Sequence, residues 1–271
     1  MLYTIETITE CIGARRVGTH EATIDWLLTD SRSLSFPEET LFFALTTKRN
    51  KGARYIPELY ERGVRNFVVT QEEFNELTVD NGQLTIAMQH AGSAATVNCQ
   101  LSTVNFLIVG NPLKALQKLA ELHRERFQIP VIGITGSNGK TIVKEWLHQL
   151  LSPDRVIVRS PRSYNSQIGV PLSVWQMNEE AELAIFEAGI SEMGEMRALQ
   201  NMIKPTIGIL TNIGGAHQEN FFSLQEKCME KLSLFKNCDV VIYNADNELI
   251  SNCVSKSMLT AREIAWGCRD A

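Results

Sequence analysis

Hydrophobic residues fall in two different rhythms along this chain. Up to about residue 105 the apolar runs are short and broken by polar residues, as in TIDWLLTDS, ETLFFAL, YIPELYERG, NFVVT and QLTIAM. Glycine and asparagine punctuate them, which predicts short strands alternating with short helices in a small α/β domain. From residue 129 the runs become near-continuous and rich in Val and Ile: PVIGIT, RVIVRS, ELAIFEA, PTIGILTN and DVVIYNAD. Such runs suit strands covered on both faces. Between them lie helical stretches, KTIVKEWLHQLL, GEMRALQNMIK and SLQEKCMEKLSLF. The alternation predicts a doubly wound, mostly parallel sheet, with ligands beyond the carboxyl ends of its strands. Joining the two regions, Asn111 and Pro112 read as the N-cap and first residue of a helix. Its apolar positions are Leu113, Leu116, Leu119, Ala120 and Leu122. The expected division is 1–105, a connecting helix in 106–128, and 129–271.

Composition narrows the class of protein. With 271 residues and 44% hydrophobic content the chain can build one large or two ordinary cores. A net charge of -5 and scattered Lys and Arg argue against a nucleic-acid or membrane-surface partner. An anionic ligand would therefore need locally gathered positive charge. The six cysteines form no CxxC and carry no zinc-type His spacing, so they read as reduced, mostly buried thiols. The first residues lack a secretory pattern, and no window approaches 18 apolar residues. A soluble, cytoplasmic protein is expected.

Chemistry concentrates at the predicted strand ends. In the first motif, strand PVIGIT runs into Thr135-Gly136-Ser137-Asn138-Gly139-Lys140-Thr141 and then a helix. Glycines there allow backbone N–H groups to face a phosphate chain, and the helix start adds a positive dipole. Lys140 would reach the outer phosphates and Thr141 would ligate Mg²⁺. The strict GxxxxGK[ST] pattern is not met, because Ile134 stands at its first glycine. Glu187 ends strand ELAIFEA, where a carboxylate beside a phosphate loop can hold Mg²⁺; alone it could equally be a cap. Glu192 and Glu195 read as cap and surface residues. His217 lies in the loop TNIGGAHQENF, and Lys231 on the helix SLQEKCMEKLSLF. Each taken alone reads as a solvated side chain. Arg162-Ser-Tyr-Asn-Ser-Gln-Ile-Gly-Val-Pro171 places Asn165 and Ser166 where polar groups could meet phosphate or substrate.

In this order, TGSNGKT, YNSQIGVP, EAG, TNIGGAHQENF and the lysine helix resemble the central domain of the Mur ligases, over residues 129 to about 248. Thr29-Asp30-Ser31-Arg32, followed by LFFAL and the Gly52 loop, resembles the UDP-binding domain of the tripeptide-stage members. The His-x-Glu-x-Phe form at His217, together with NSQIGVP, is most similar to the type that adds D-Ala-D-Ala to UDP-N-acetylmuramoyl-tripeptide. That resemblance implies ATP and Mg²⁺ as cofactors, with Lys140 and Thr141 on the phosphates and first metal. It implies Glu187 and His217 at a second Mg²⁺, and a Lys231 carbamylated by CO₂. Thr29, Asp30, Ser31 and Arg32 would lie near the UDP moiety, and Asn165 and Ser166 near substrate. Two departures stand out. Lys51-Gly52-Ala53 replaces the family's Asp-Gly-His, and Asn165-Ser166 replaces a pair of asparagines.

The family implies a third, C-terminal domain, for which 271 residues leave no room. The chain is expected to be a piece of a longer protein, incapable of ligation alone, and the full protein could carry a downstream alanine racemase. Other readings stay open beside this one: a Mur ligase adding a different amino acid, or a module that binds nucleotide or UDP-precursor without chemistry. A generic phosphate-loop switch is less compatible with the sequence, which lacks the strict first glycine.

Overall fold

The computed structural model describes residues 2–47, 51–76, 78–80, 83–90, 93–215 and 220–268. The chain forms two compact units, Met1–Leu119 and Ala120–Ala271.

The first unit is built from β1 (Tyr3–Thr4), α1 (Ile5–Ile12), β2 (Arg15–Val17), β3 (Thr23–Ile24), β4 (Trp26–Leu28), β5 (Thr40–Phe43), α2 (Ile56–Glu61), β6 (Asn66–Val69), α3 (Gln71–Asn75), β7 (Thr78–Asp80), β8 (Gln83–His90), β9 (Ser93–Gln100) and β10 (Asn105–Ile108). Its main sheet has the order β2-β10-β6-β5-β4, parallel except for β2. Because β10 lies inside this sheet, the first unit's fold extends past residue 105. A separate antiparallel ribbon, β7-β8-β9, precedes it; of these strands only the QLTIAM run in β8 stood out in the apolar pattern. Phe42, Phe67 and Phe106 come from neighbouring strands and meet in the core, with the rings of Phe67 and Phe106 stacked 5.4 Å apart between centroids.

Helix α4 (Pro112–Arg124) begins as the sequence predicts, with Asn111 Oδ1 accepting from Lys114 N at 3.0 Å. The second unit then follows with β11 (Val131–Thr135), α5 (Lys140–Leu151), β12 (Ile157–Arg159), α6 (Gly169–Val174), β13 (Leu183–Ala188), α7 (Glu195–Ile203), β14 (Ile207–Leu210), α8 (Leu224–Leu232), β15 (Val240–Asn244), α9 (Glu248–Lys256) and β16 (Arg262–Trp266). Its six strands are all parallel, in the order β12-β13-β11-β14-β15-β16. Alternate residues feed opposite faces. Ile132, Ile134, Leu183 and Ile185 pack with Val143, Leu147 and Leu151 of α5, while Val131, Ala184 and Phe186 face α6, α7 and α8. The predicted doubly wound, mixed α/β architecture is what the chain adopts. Strand β16 was not anticipated, because its REIAW sequence is exposed throughout and shows no apolar run.

Among the described residues no helix is long and apolar enough to cross a membrane. Cys228, Cys238 and Cys253 are buried free thiols, Cys11 is half-buried and Cys268 exposed.

Candidate functional site

The loop 136–139 leaves β11 and enters α5 with two glycines in the left-handed region, Gly136 at φ 146° and Gly139 at φ 81°. A side chain at 136 would strike Thr211 Oγ1 at 2.0 Å, so this approach of two loops requires glycine. The loop is tied to the end of β14. Ser137 N donates to Asn212 O at 2.9 Å, Asn138 N to Asn212 Oδ1 at 2.9 Å, and Thr211 Oγ1 to Asn138 O at 2.6 Å. Thr135 Oγ1 donates to Ala188 O at 2.8 Å, fixing β11 to the end of β13. Lys140 folds back to donate to Gly136 O at 2.8 Å. Its first-turn position puts it where the α5 dipole favours anions.

Glu187 is fully buried at the end of β13. Its Oε2 accepts from Thr141 Oγ1 at 3.1 Å and from Asn165 Nδ2 at 3.3 Å. Its Oε1 lies 3.0 Å from Lys144 Nζ, an ion pair off the hydrogen-bonding angle. A buried carboxylate needs such a partner. Lys144 itself is wholly buried on α5 and was not singled out in the sequence, where a helical lysine reads as solvated.

A cavity of about 140 Å³ opens beside the loop, lined by Gly136, Ser137, Lys140, Asn165, Ser166, Lys227 and Lys231, among others. Three lysines thus face one small space. Lys227 was also missed in the sequence; it lies one turn before Lys231 on α8, is buried, and donates to Gly214 O at 2.8 Å. Burial is the main cause that pushes the Lys231 ammonium down to about 7, and the charges of Lys140 and Lys227 push it further in the same direction. Lys140 is likewise held below the usual lysine range, first by burial and then by Lys227, with Glu187 opposing. Ser166 Oγ accepts from Gly169 N at 3.1 Å, so its hydroxyl also braces the start of α6.

The structure therefore gathers Lys140, Thr141, Glu187, Asn165, Ser166 and Lys231 at one end of the second sheet. His217 lies outside the described residues. Thr29 to Arg32 belong to the first unit, at the carboxyl end of β4. There Asp30 Oδ1 accepts from Arg32 N at 3.1 Å, and Asp30 Oδ2 pairs with Arg32 Nη2 at 2.6 Å. Ser31 is buried and its carbonyl accepts from Arg62 Nη1 at 2.8 Å. Glu195 Oε2 caps the loop before α7, accepting from Ser191 N and Glu192 N at 2.6 and 3.0 Å.

Among the described residues no cluster of three or more His, Cys, Asp or Glu could cage a metal. Thr141 and Glu187 still fit a hard cation. They offer hydroxyl and carboxylate oxygens 3.1 Å apart, which suits a Mg²⁺ completed by phosphate and water.

Residues 134–267 match the family model described as the Mur ligase middle domain. The chain is 33% identical over 213 residues to the UDP-N-acetylmuramoyl-tripeptide--D-alanyl-D-alanine ligase of Rickettsia prowazekii, covering 71% of this chain and 46% of that one. The chain belongs to the Mur ligase family. It spans about half the length of the curated relatives it matches. The Mur ligase likeness extends to solved structures. The D-alanyl-D-alanyl ligase of Acinetobacter baumannii superposes with a TM-score of 0.79 at 20% identity, over 99% of this chain and 54% of that one. The Thermotoga maritima MurF ligase, solved in complex with ADP, superposes with a TM-score of 0.68 at 22% identity, over 89% of this chain and 50% of that one. At these identities the superpositions establish the fold.

Proposed function

We propose that this chain is the precursor-binding and ATP-binding part of a ligase that adds D-Ala-D-Ala to UDP-N-acetylmuramoyl-tripeptide in cytoplasmic cell-wall precursor synthesis. The observation that carries the nucleotide part is the Thr135–Thr141 loop closing on Lys140, with buried Glu187 hydrogen-bonded to Thr141. The names of the relatives support the substrate pair, and the ADP of the Thermotoga structure supports the nucleotide. In this reading the first unit binds the UDP moiety through Thr29, Asp30, Ser31 and Arg32, and the second binds ATP.

The reaction proposed has two displacements. An oxygen of the tripeptide's terminal carboxylate attacks the γ-phosphorus, the bond to the β-phosphate oxygen breaks, and ADP leaves. The amine of D-Ala-D-Ala then attacks the acyl carbon, the carbon–oxygen bond to phosphate breaks, and the amine proton is lost. Lys140, a half-buried cation at a helix start, counters charge on the transferring group. Mg²⁺, when bound, neutralises phosphate oxygens, and Thr141, Glu187, His217 and carbamylated Lys231 would hold it. An amine whose ammonium is held down to about 7 by burial offers its neutral form near neutral pH and suits addition of CO₂, in which nitrogen bonds carbon and one proton leaves to give the carbamate anion. Asn165 and Ser166 would contact substrate or phosphate from the cavity wall.

Titration of the chain with ADP and Mg²⁺ by calorimetry tests the reading. Binding is expected, and Lys140→Met should weaken it about a hundredfold, the loss of a charge-assisted phosphate contact. A wild-type chain that takes up no adenine nucleotide would sink the proposal. For the carbamate, ¹³C-bicarbonate should give a carbamate resonance that Lys231→Arg abolishes.

A further inference from the structure

Lys144 lies one helical turn beyond Lys140, on the same side of α5. It is 0% exposed, and its ammonium is surrounded by groups from the segment after β12, from β13 and from α5 itself. Its Nζ donates to Ser160 O at 2.8 Å and to Arg162 O, both just past the end of β12. Glu145 Oε1 stands 3.2 Å away and Glu187 Oε1 3.0 Å away. Glu145 is itself held by Arg159 at the end of β12, which leaves Glu187 as the fully buried partner. Ser160 reaches the same strand a second time, since its Oγ accepts from Glu187 N at 3.1 Å.

The two oxygens of Glu187 therefore have separate surroundings. Oε1 points to the Lys144 ammonium, and Oε2 to the neutral donors Thr141 and Asn165 at the loop. Opposite charges at this distance in a buried setting attract strongly, and a carboxylate already balanced attracts a second cation less. Thr141 adds only a neutral hydroxyl.

We propose that Lys144 is a positioning residue that fixes Glu187 through Oε1 and leaves Oε2 as a single-oxygen ligand, so that a divalent cation enters the site only together with nucleotide phosphates. The proposal rests on the reading of the loop as a Mg²⁺–nucleotide site. Phosphate oxygens supply the negative charge that Lys144 has removed from Glu187. Without Lys144, Glu187 would present an uncompensated buried charge and would recruit a metal unaided.

Mn²⁺ binding to this chain, followed by electron paramagnetic resonance with and without ADP, tests it. Wild type should bind Mn²⁺ at least ~tenfold more tightly with ADP than Mn²⁺ binds to either the chain or ADP alone. Lys144→Met should raise nucleotide-free Mn²⁺ affinity ~tenfold or more, while Lys144→Met combined with Glu187→Gln returns it to the wild-type level. Mn²⁺ should also raise the melting temperature of Lys144→Met and leave that of the double variant unchanged. Should Lys144→Met unfold by itself, Mn²⁺ is expected to restore its fold, and a failure of that rescue overturns the proposal. Tight nucleotide-free Mn²⁺ binding by wild type, or an unchanged affinity in a folded Lys144→Met, overturns it too, with ADP binding intact. Loss of ADP binding by wild type instead removes the nucleotide reading beneath it.

Discussion

The two parallel sheets of this chain bury polar groups in opposite ways. In the first unit the buried polar pair is neutral: Asn105 Nδ2 donates to Asn66 Oδ1 and His20 O, both at 2.7 Å, and Asn105 Oδ1 accepts from Arg16 Nε at 2.9 Å. These amides sit at the first residues of β6 and β10, the amino ends of the strands. In the second unit four buried charged groups gather at the carboxyl ends: Glu187, Lys144, Lys227 and Lys231. An amide pair joined by a direct hydrogen bond ties two strands together and carries no net charge for a ligand to balance. Buried charges with partial compensation are costly to the fold, and that cost is met where an incoming anion or cation can complete the balance.

The strongest way to break this contrast is Glu187→Gln. It removes the fully buried carboxylate from Lys144 and leaves two carbonyls and the partly exposed Glu145, and the second unit should lose about 3–5 kcal/mol, read as faster hydrogen exchange in β11 and β13. Equal protection in wild type and variant would show that the pair contributes nothing. Next comes pH. His123 is buried in the second unit, where Nε2 donates to Met177 O at 2.9 Å and the ring packs on Trp175. Burial pushes its imidazole down to about 4 from an ordinary 6.5. The unfolded chain then binds the extra proton first as pH falls. Stability from this group is complete above about 6.5 and is lost towards about 4, on the order of 3 kcal/mol in all. Chemical denaturation across that range should show the slope, and His123→Gln should flatten it. Asn105→Ala should cost the first unit roughly 1–2 kcal/mol by leaving Asn66 and Arg16 without their acceptor or donor, with no pH dependence between 5 and 8. Smallest of all, Arg32→Ala should leave the melting temperature unchanged, since the Asp30–Arg32 pair is solvent-facing. A clear loss of stability there would contradict the assignment of that loop to binding rather than to folding.

Much of the second unit was legible because its central strands β11 and β13 are buried on both faces and its motifs fall where parallel strands end. The helix KTIVKEWLHQLL coincides with α5, and the order β11, loop, α5 could be read directly. Lys144 and Lys227 could not. Each lies in a helix whose local sequence treats lysine as a solvated residue, and its burial is decided by carbonyls and a carboxylate brought from distant strands. One signal was available: Lys144 follows Lys140 by four residues and Lys227 precedes Lys231 by four, so each shares a helix face with a candidate site lysine. Strands β7, β9 and β16 escaped notice for a different reason. Their pairing partners, not their own hydrophobicity, make them strands.

The phosphate loop is braced by hydrogen bonds from within the chain. Ser137 N and Asn138 N already donate to Asn212, and Lys140 to Gly136 O. In deuterium oxide, those two amides should therefore exchange slowly in protein prepared without nucleotide. Ligand capture would swap one set of acceptors for another, and an isotope clock at this loop would register only a small change in protection when the nucleotide docks.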